Sequence, residues 1–84
     1  MDAELFKVLK HIDEVQSRSE FTSFYDLFWT WRDKGNLTDD MTFRQRITFL
    51  LKRGYITCIL KDALLHYTLT EKGKKILNKE KDKN

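Results

Sequence analysis

Three glycines are the only strong helix breakers in this chain of 84 residues, which contains no proline. They stand at Gly35, Gly54 and Gly73, and glycine readily takes the left-handed conformation in which helices end. A chain of this length builds one small domain around a single modest core. We therefore expect one domain whose helices and strands begin and end close to these glycines.

The first 53 residues have the spacing of apolar side chains that is typical of helices. Three helices are predicted, at about residues 2–16, 24–33 and 39–53. Ser23 is the expected N-cap of the second helix, and Thr38 or Asp39 that of the third. Leu37, in the turn between these helices, is expected to reach into the core. His11 flanks the apolar stripe of the first helix, where we expect it to have no role.

Two stretches after Gly54 alternate between apolar and other residues with a period of two, which predicts two β-strands. A turn at Asp62–Ala63 would pair these strands so that six side chains share one face. These are Ile56, Cys58, Leu60, Leu65, Tyr67 and Leu69. We expect this face to pack on the core, with Cys58 as a buried thiol and His66 exposed on the other face. Because Ala63 suits a primed turn poorly, a longer loop is an alternative.

The net charge of +3 is unevenly distributed along the chain. Residues 1–20 carry a net charge of −2, residues 38–53 one of +2, and residues 71–84 one of +3. A basic third helix suits a polyanionic partner, although solvated helix faces give the same pattern. No run of 18 apolar residues is present and the chain begins with an acidic amphipathic stretch. We therefore expect neither a membrane span nor a signal peptide.

The residue types that build catalytic or metal sites are not grouped in this sequence. The single Cys and the two His are far apart, and no phosphate-binding glycine loop is present. The carboxylates of Asp39 and Asp40, as neighbours on a helix, point about 100° apart and make a poor metal clamp. We therefore expect no enzyme activity, no metal and no cofactor.

Two stretches of the sequence resemble winged helix-turn-helix DNA-binding regulators. Residues 42–56 are similar to the recognition helix and the step into the hairpin, and residues 67–77 to the last strand and the following helix. The resemblance extends over about residues 3–78 and is strongest to the multiple-antibiotic-resistance-regulator-like and small archaeal branches. The Lys-rich, Pro-free composition is also similar to that of small regulators from thermophilic archaea and their viruses.

The resemblance implies an α+β winged helix-turn-helix fold. This fold has a three-helix core, a β-hairpin wing and a short C-terminal helix. The domain is expected to span residues 1–78, followed by a charged, frayed tail at residues 79–84. The implied function is sequence-specific binding of double-stranded DNA as a homodimer in transcription control. We expect a cytoplasmic protein, located in the host cytoplasm if it is viral.

The candidate DNA-binding residues lie mostly on the third helix, on the face opposite its apolar stripe. Gln suits adenine, Arg suits guanine, and Thr suits either a base or a phosphate. The expected base contacts are Thr42, Arg44, Gln45 and Thr48. Arg46, Lys52 and Arg53 are expected to contact phosphates or to form salt bridges. Ser23, at the start of the second helix, is a further candidate phosphate contact. Lys61 is the only basic residue of the predicted wing tip, where it is followed by Asp62.

A second group of residues is expected at the dimer interface. Tyr25 and Trp29 lie beside the apolar stripe of the second helix, and Phe6, Ile76 and Leu77 are candidates by resemblance. The alternative function is a winged helix that binds proteins without specific DNA binding. The nearly neutral wing, the Tyr25–Trp29 pair and the modest net charge support this alternative.

Overall fold

Three helices, an antiparallel hairpin and a fourth helix follow one another in the computed structural model, which describes residues 1–82 and the side chains of residues 1–79. The elements are α1 (Ala3–Arg18), α2 (Phe24–Asp33), α3 (Asp40–Lys52), β1 (Ile56–Lys61), β2 (Leu64–Leu69) and α4 (Glu71–Asp82). This α+β order is consistent with the winged-helix layout that the resemblance implies. None of these helices has the length and apolar character needed to cross a membrane.

The first three helices begin at side chains that satisfy free backbone N–H groups. The carboxylate of Asp2 accepts the N–H of Glu4 at 2.8 Å. Ser23 and Asp26 form a capping box, in which each side chain accepts the backbone N–H of the other residue. Asp39 caps α3. The predicted cap of α2 is thereby confirmed, and Asp39 is the residue that caps α3.

The turn between α2 and α3 differs from the prediction at Leu37. Gly35 takes the expected left-handed conformation with a φ of 94°. The Asn36 side chain then donates a hydrogen bond to the carbonyl of Trp31 at 3.0 Å, which closes the end of α2. The side chain that turns inward here is therefore that of Asn36, whereas the prediction assigns this position to Leu37. Leu37 is 92 % exposed, so the prediction that it fills the core is wrong.

One core joins all four helices to the base of the hairpin. Aromatic side chains of α2 form its centre, and the rings of Phe24, Phe28 and Trp31 each lie 5.5–5.8 Å from that of Phe43 in α3. Aliphatic residues of α1 pack against this group, and Leu77 of α4 closes it. The aromatic stripe of α2 is therefore buried in the core of the monomer, as its helical spacing predicts.

The hairpin has the predicted register but is buried only at its base. Ile56 pairs with Leu69, Cys58 with Tyr67, and Leu60 with Leu65. The loop is the two-residue turn Asp62–Ala63, with φ values of 52° and 66°, so the longer loop does not form. Ile56, Tyr67 and Leu69 are buried, whereas the other three side chains of that face are exposed. The distal half of the hairpin extends past the helices, and Cys58 is therefore exposed rather than buried as predicted.

Both histidines are buried, so the prediction that His66 is exposed is wrong. His11 is 1 % exposed, and its Nε2 lies 3.0 Å from the carbonyl oxygen of Leu27, which can only accept a hydrogen bond. His66 lies beside the segment before α2, where its Nδ1 accepts the N–H of Thr22 at 3.1 Å. Each ring therefore satisfies a backbone group of a neighbouring element.

Helix α4 is docked onto the step between α3 and β1. The hydroxyl of Thr70 donates to the carbonyl of Gly54 at 2.6 Å. A Cβ atom at Gly73 would lie 2.2 Å from the carbonyl oxygen of Tyr55, so only glycine allows this approach. The helix continues to Asp82, beyond the predicted domain end at residue 78. The last two residues of the predicted tail, 83–84, lie outside the described residues.

Candidate nucleic-acid interface

The outer face of α3 presents polar and basic side chains around one shallow depression. Its lining consists of Met41, Arg44, Gln45, Thr48, Phe49 and Lys52, all exposed. The opposite face buries Phe43, Ile47 and Leu50 in the core. No Asp or Glu occurs between Met41 and Arg53, so an anion that approaches this face meets no carboxylate of α3 beyond its first turn.

Arg44 is held in place by the core beneath it. Its guanidinium lies 3.9 Å from the centre of the Phe24 ring, a distance typical of a cation–π contact. Arg44 is exposed, and a cation–π contact does not use the N–H donors of its guanidinium, so they are available for hydrogen bonds. Arg44 is therefore an ordered donor on the exposed face of α3.

Thr42 and Arg46 lie on the flank of α3 that faces α1, and both are already engaged. Hydrogen bonds from the side chain and backbone of Thr42 hold the pKa of Asp39 below its usual range. The guanidinium of Arg46 is 3.4 Å from the carboxylate of Glu4. Both residues also line a second depression together with Gln45. Arg44, Gln45, Thr48 and Lys52 line the first, so Gln45 is shared between the two parts of the α3 surface.

Ser23 and Lys61 are not part of the α3 surface either. Ser23 is buried, and its hydroxyl donates to the Asp26 carboxylate at 2.7 Å, which would repel a phosphate. The ammonium of Lys61 is 3.0 Å from the carboxylate of Glu20. Apart from Asp62 in the turn, the rest of the hairpin tip is apolar, with Ile59, Leu60, Leu64 and Leu65 all exposed.

Of the residues predicted at a dimer interface, two form an exposed pair and one is excluded. Tyr25 and Trp29 are exposed beside Phe21, and these three side chains, here called the aromatic patch, border a shallow groove against α1. Phe6 and Ile76 are partly buried against the core. Leu77 is 3 % exposed, so its assignment to an interface is wrong: it completes the monomer core.

Two further basic residues adjoin the α3 surface: Arg53, which the sequence already suggests as a phosphate contact or salt-bridge partner, and Lys72, which it does not. The guanidinium of Arg53 lies 4.9 Å from the centre of the Phe49 ring. The ammonium of Lys72, at the start of α4, donates to the carbonyl of Arg53 at 2.7 Å. The i, i+4 spacing of Phe49 and Arg53 is a signal that the sequence offers. The position of Lys72 depends on how α4 docks, which no local pattern reveals.

The exposed basic side chains and hydrogen-bond donors of this arrangement can bind a polyanion. Within residues 1–79, no three His, Cys, Asp or Glu side chains come together in a way that could hold a metal ion. Comparison of the chain with known protein families, with curated proteins and with solved structures finds no match. The geometry of this surface alone therefore indicates what it can bind.

Proposed function

We propose that this protein is a winged-helix transcriptional regulator that binds specific sequences in double-stranded DNA through α3. The observation that carries the proposal is the outer face of α3, where Arg44, Gln45 and Thr48 lie exposed together without a carboxylate. An α-helix fits the major groove of B-DNA, and base edges there offer donors and acceptors to these side chains.

Each exposed side chain of α3 suits a defined feature of the groove. Arg44 can donate two hydrogen bonds to guanine, and Gln45 can pair with adenine through its amide. Met41 and Phe49, which line the same depression, can contact the methyl group of thymine. Lys52, near the end of the helix, is placed to reach a phosphate. The apolar side chains thus belong to the same recognition surface as the polar ones.

The aromatic patch supports a homodimer. Tyr25 and Trp29 are large rings that the monomer leaves exposed, and exposed aromatic side chains are enriched at protein interfaces. A twofold dimer would bind two half-sites separated by about 10–10.5 base pairs, or by a multiple of that spacing. The patch lies on α2 and the segment before it, so pairing through it leaves the outer face of α3 free.

Selection of bound duplexes from a random library tests the proposal. We expect an enriched sequence with two related half-sites. Arg44→Ala should abolish the preference at one base position of each half-site. The matched control is Arg32→Ala, because Arg32 also lies over a core ring, 5.7 Å from the centre of Phe28, but on α2. Absence of enrichment, or equal effects of both substitutions, would contradict the proposal.

A specific observation also favours the second candidate function, a module that binds another protein. The N–H of Tyr67 donates to the carbonyl of Thr22 at 3.0 Å, on the side of β2 away from β1. Cys58 is opposite Tyr67, so its own backbone groups also point away from β2. They lie on the outer edge of β1, which pairs with no strand among residues 1–82. Leu60, on the same edge, is 73 % exposed. Such an edge can pair with a strand of a partner.

The two functions are distinguished by one substitution on each surface. Leu60→Glu places a charge at the hairpin tip and leaves α3 unchanged. For a protein that binds DNA through α3 it should leave duplex affinity within about two-fold of wild type, because the proposed contacts lie on α3 and the cation of the tip, Lys61, is already paired with Glu20. A protein that binds no duplex and forms a defined protein complex sensitive to Leu60→Glu would establish the second function instead.

A further inference from the structure

Exposed basic side chains lie at the end of α3 and in the first turns of α4, and Lys72 contacts the backbone of Arg53 where the two helices adjoin. Lys52 and Arg53 come from the end of α3, and Lys72 and Lys75 from the first turns of α4. We infer that these four residues, here called the α3–α4 basic cluster, form a second phosphate-binding surface that contacts the backbone of the duplex bound by α3. The inference rests on the proposed function, because it requires DNA in contact with α3.

The ammonium of Lys72 is held at a fixed position in this cluster. It donates to the carbonyl of Arg53 at 2.7 Å and lies 4.7 Å from the centre of the Tyr55 ring. One of its three N–H donors is used in this way, which leaves two for the oxygens of a phosphate. Because the residue is exposed and already ordered, binding costs less side-chain entropy than it would for a free lysine.

The cluster is continuous with the outer face of α3. Phe49 lines the depression on that face, and its ring carries the guanidinium of Arg53 at 4.9 Å. Arg53 in turn accepts the hydrogen bond from Lys72. A chain of direct contacts therefore leads from the candidate base-reading residues to the first turn of α4, so one duplex can touch both.

The backbone of the junction fixes the distance between the two helices. Gly73 approaches the carbonyl of Tyr55 so closely that a Cβ atom would lie 2.2 Å from its oxygen. At the same junction, the hydroxyl of Thr70 donates a hydrogen bond to the carbonyl of Gly54 at 2.6 Å. These contacts hold Lys72 beside the end of α3 and remove the freedom of α4 to move away.

The charge of the cluster is not neutralised by neighbouring carboxylates. Among residues 1–79, none of its four members forms an ion pair, and the nearby Glu71 faces Lys74 at 3.8 Å. The hairpin tip differs in this respect, because its Lys61 is paired with Glu20 at 3.0 Å. Of these two surfaces, the α3–α4 basic cluster is the one with positive charge available for phosphate.

The test is the salt dependence of duplex binding, measured by fluorescence anisotropy for wild type and for Lys72→Gln and Lys75→Gln. Loss of one phosphate contact should make the slope of log K against log salt less steep by about 0.9, and should lower affinity roughly 5–10-fold at about 0.1 M salt. Lys72→Arg, which keeps the charge, should retain the wild-type slope. Lys10→Gln is the matched control, since it removes the same charge from the exposed side of α1 and should change nothing.

The outcomes separate this inference from the proposed function. Wild-type slopes for both glutamine variants would overturn the inference and leave DNA binding by α3 intact. A weaker Lys72→Gln with an unchanged slope, not restored by Lys72→Arg, would assign Lys72 a purely structural role and also overturn it. If wild type binds no duplex at any salt concentration, the proposed function itself has failed.

Discussion

The imidazole of His66 accepts, through Nδ1, a hydrogen bond from the backbone N–H of Thr22 at 3.1 Å. Thr22 is buried and immediately precedes Ser23, the N-cap of α2. The carbonyl of Thr22 also accepts the N–H of Tyr67 at 3.0 Å. Through these two bonds the hairpin is attached to the start of α2, so the orientation of β2 and that of α2 are coupled.

Removal of the His66 acceptor should destabilise the protein. His66→Leu leaves the buried N–H of Thr22 without a partner, and we expect a loss of roughly 1–3 kcal/mol in the free energy of unfolding. His66→Asn is the control, because its amide oxygen can occupy the place of Nδ1 and should recover much of the loss. Urea unfolding followed by circular dichroism measures both; equal losses for Leu and Asn would show that the hydrogen bond contributes nothing.

Stability should fall as the pH is lowered through the range in which His11 titrates. Burial is the main cause that holds the pKa of His11 below its usual 6.5. Its Nε2 already donates to the carbonyl of Leu27, and its Nδ1 is buried without a partner among the described residues. The proton that would charge the ring at Nδ1 would therefore have no hydrogen-bond acceptor. The unfolded chain therefore binds this proton more readily than the folded one. The neutral His11 side chain therefore makes its full contribution to the free energy of unfolding above pH 6.5, and this contribution is lost as the pH falls below that value.

Comparison of His11 with a residue that cannot titrate isolates this effect. His11→Gln keeps a donor for the carbonyl of Leu27 and carries no proton that exchanges in this range. Its free energy of unfolding should change less than that of wild type between about pH 7.5 and pH 5. Parallel curves for the two proteins would show that another group causes the pH dependence.

The turn of the hairpin offers a stabilising substitution. Ala63 has a φ of 66°, a left-handed conformation that costs an L-residue with a Cβ roughly 1–2 kcal/mol. Ala63→Gly should therefore raise the free energy of unfolding by about 0.5–1 kcal/mol, after the greater freedom of glycine in the unfolded chain is counted. Ala3→Gly, at the only other alanine, lies in α1 and should not stabilise. Thermal unfolding of both variants decides the point.

Gln45 and Lys52 should affect DNA binding in different ways. Gln45→Ala should relax the preference at one base position, because an amide to a base edge carries sequence information. Lys52→Ala should weaken all duplexes alike and reduce the salt slope by about 1. Binding constants for a panel of single-base variants of the selected duplex give both results. If both substitutions lowered only overall affinity, the division into base and phosphate contacts would be wrong.

The sequence predicts local features of this fold better than the depth at which residues are buried. The period-two pattern of the strands is sufficient for their register, because a shift of one residue would move every apolar side chain to the other face. It does not reveal how far the hairpin extends past the helices. Cys58 and Leu60 therefore share the predicted face with Ile56 and are nevertheless exposed.

The other differences between the predicted and the observed positions of residues arise from partners that are distant in the sequence. The backbone groups that bury His11 and His66 lie 16 and 44 residues away in sequence. At the candidate site, the helical period is sufficient to place Arg44 and Gln45 together on α3. Lys72 is missing from the predicted set because its partner, the carbonyl of Arg53, lies 19 residues away and is reached only when α4 docks.

The most direct test of the central claim, that α3 binds duplex DNA, is the affinity of the wild-type protein for its selected duplex over a range of salt concentrations. We predict measurable binding at about 50 mM salt and a slope of log K against log salt steeper than about −3, because four exposed cations, Arg44, Lys52, Arg53 and Lys72, would face a duplex bound to α3. Absence of binding at about 50 mM salt, or a slope near zero, would contradict the claim.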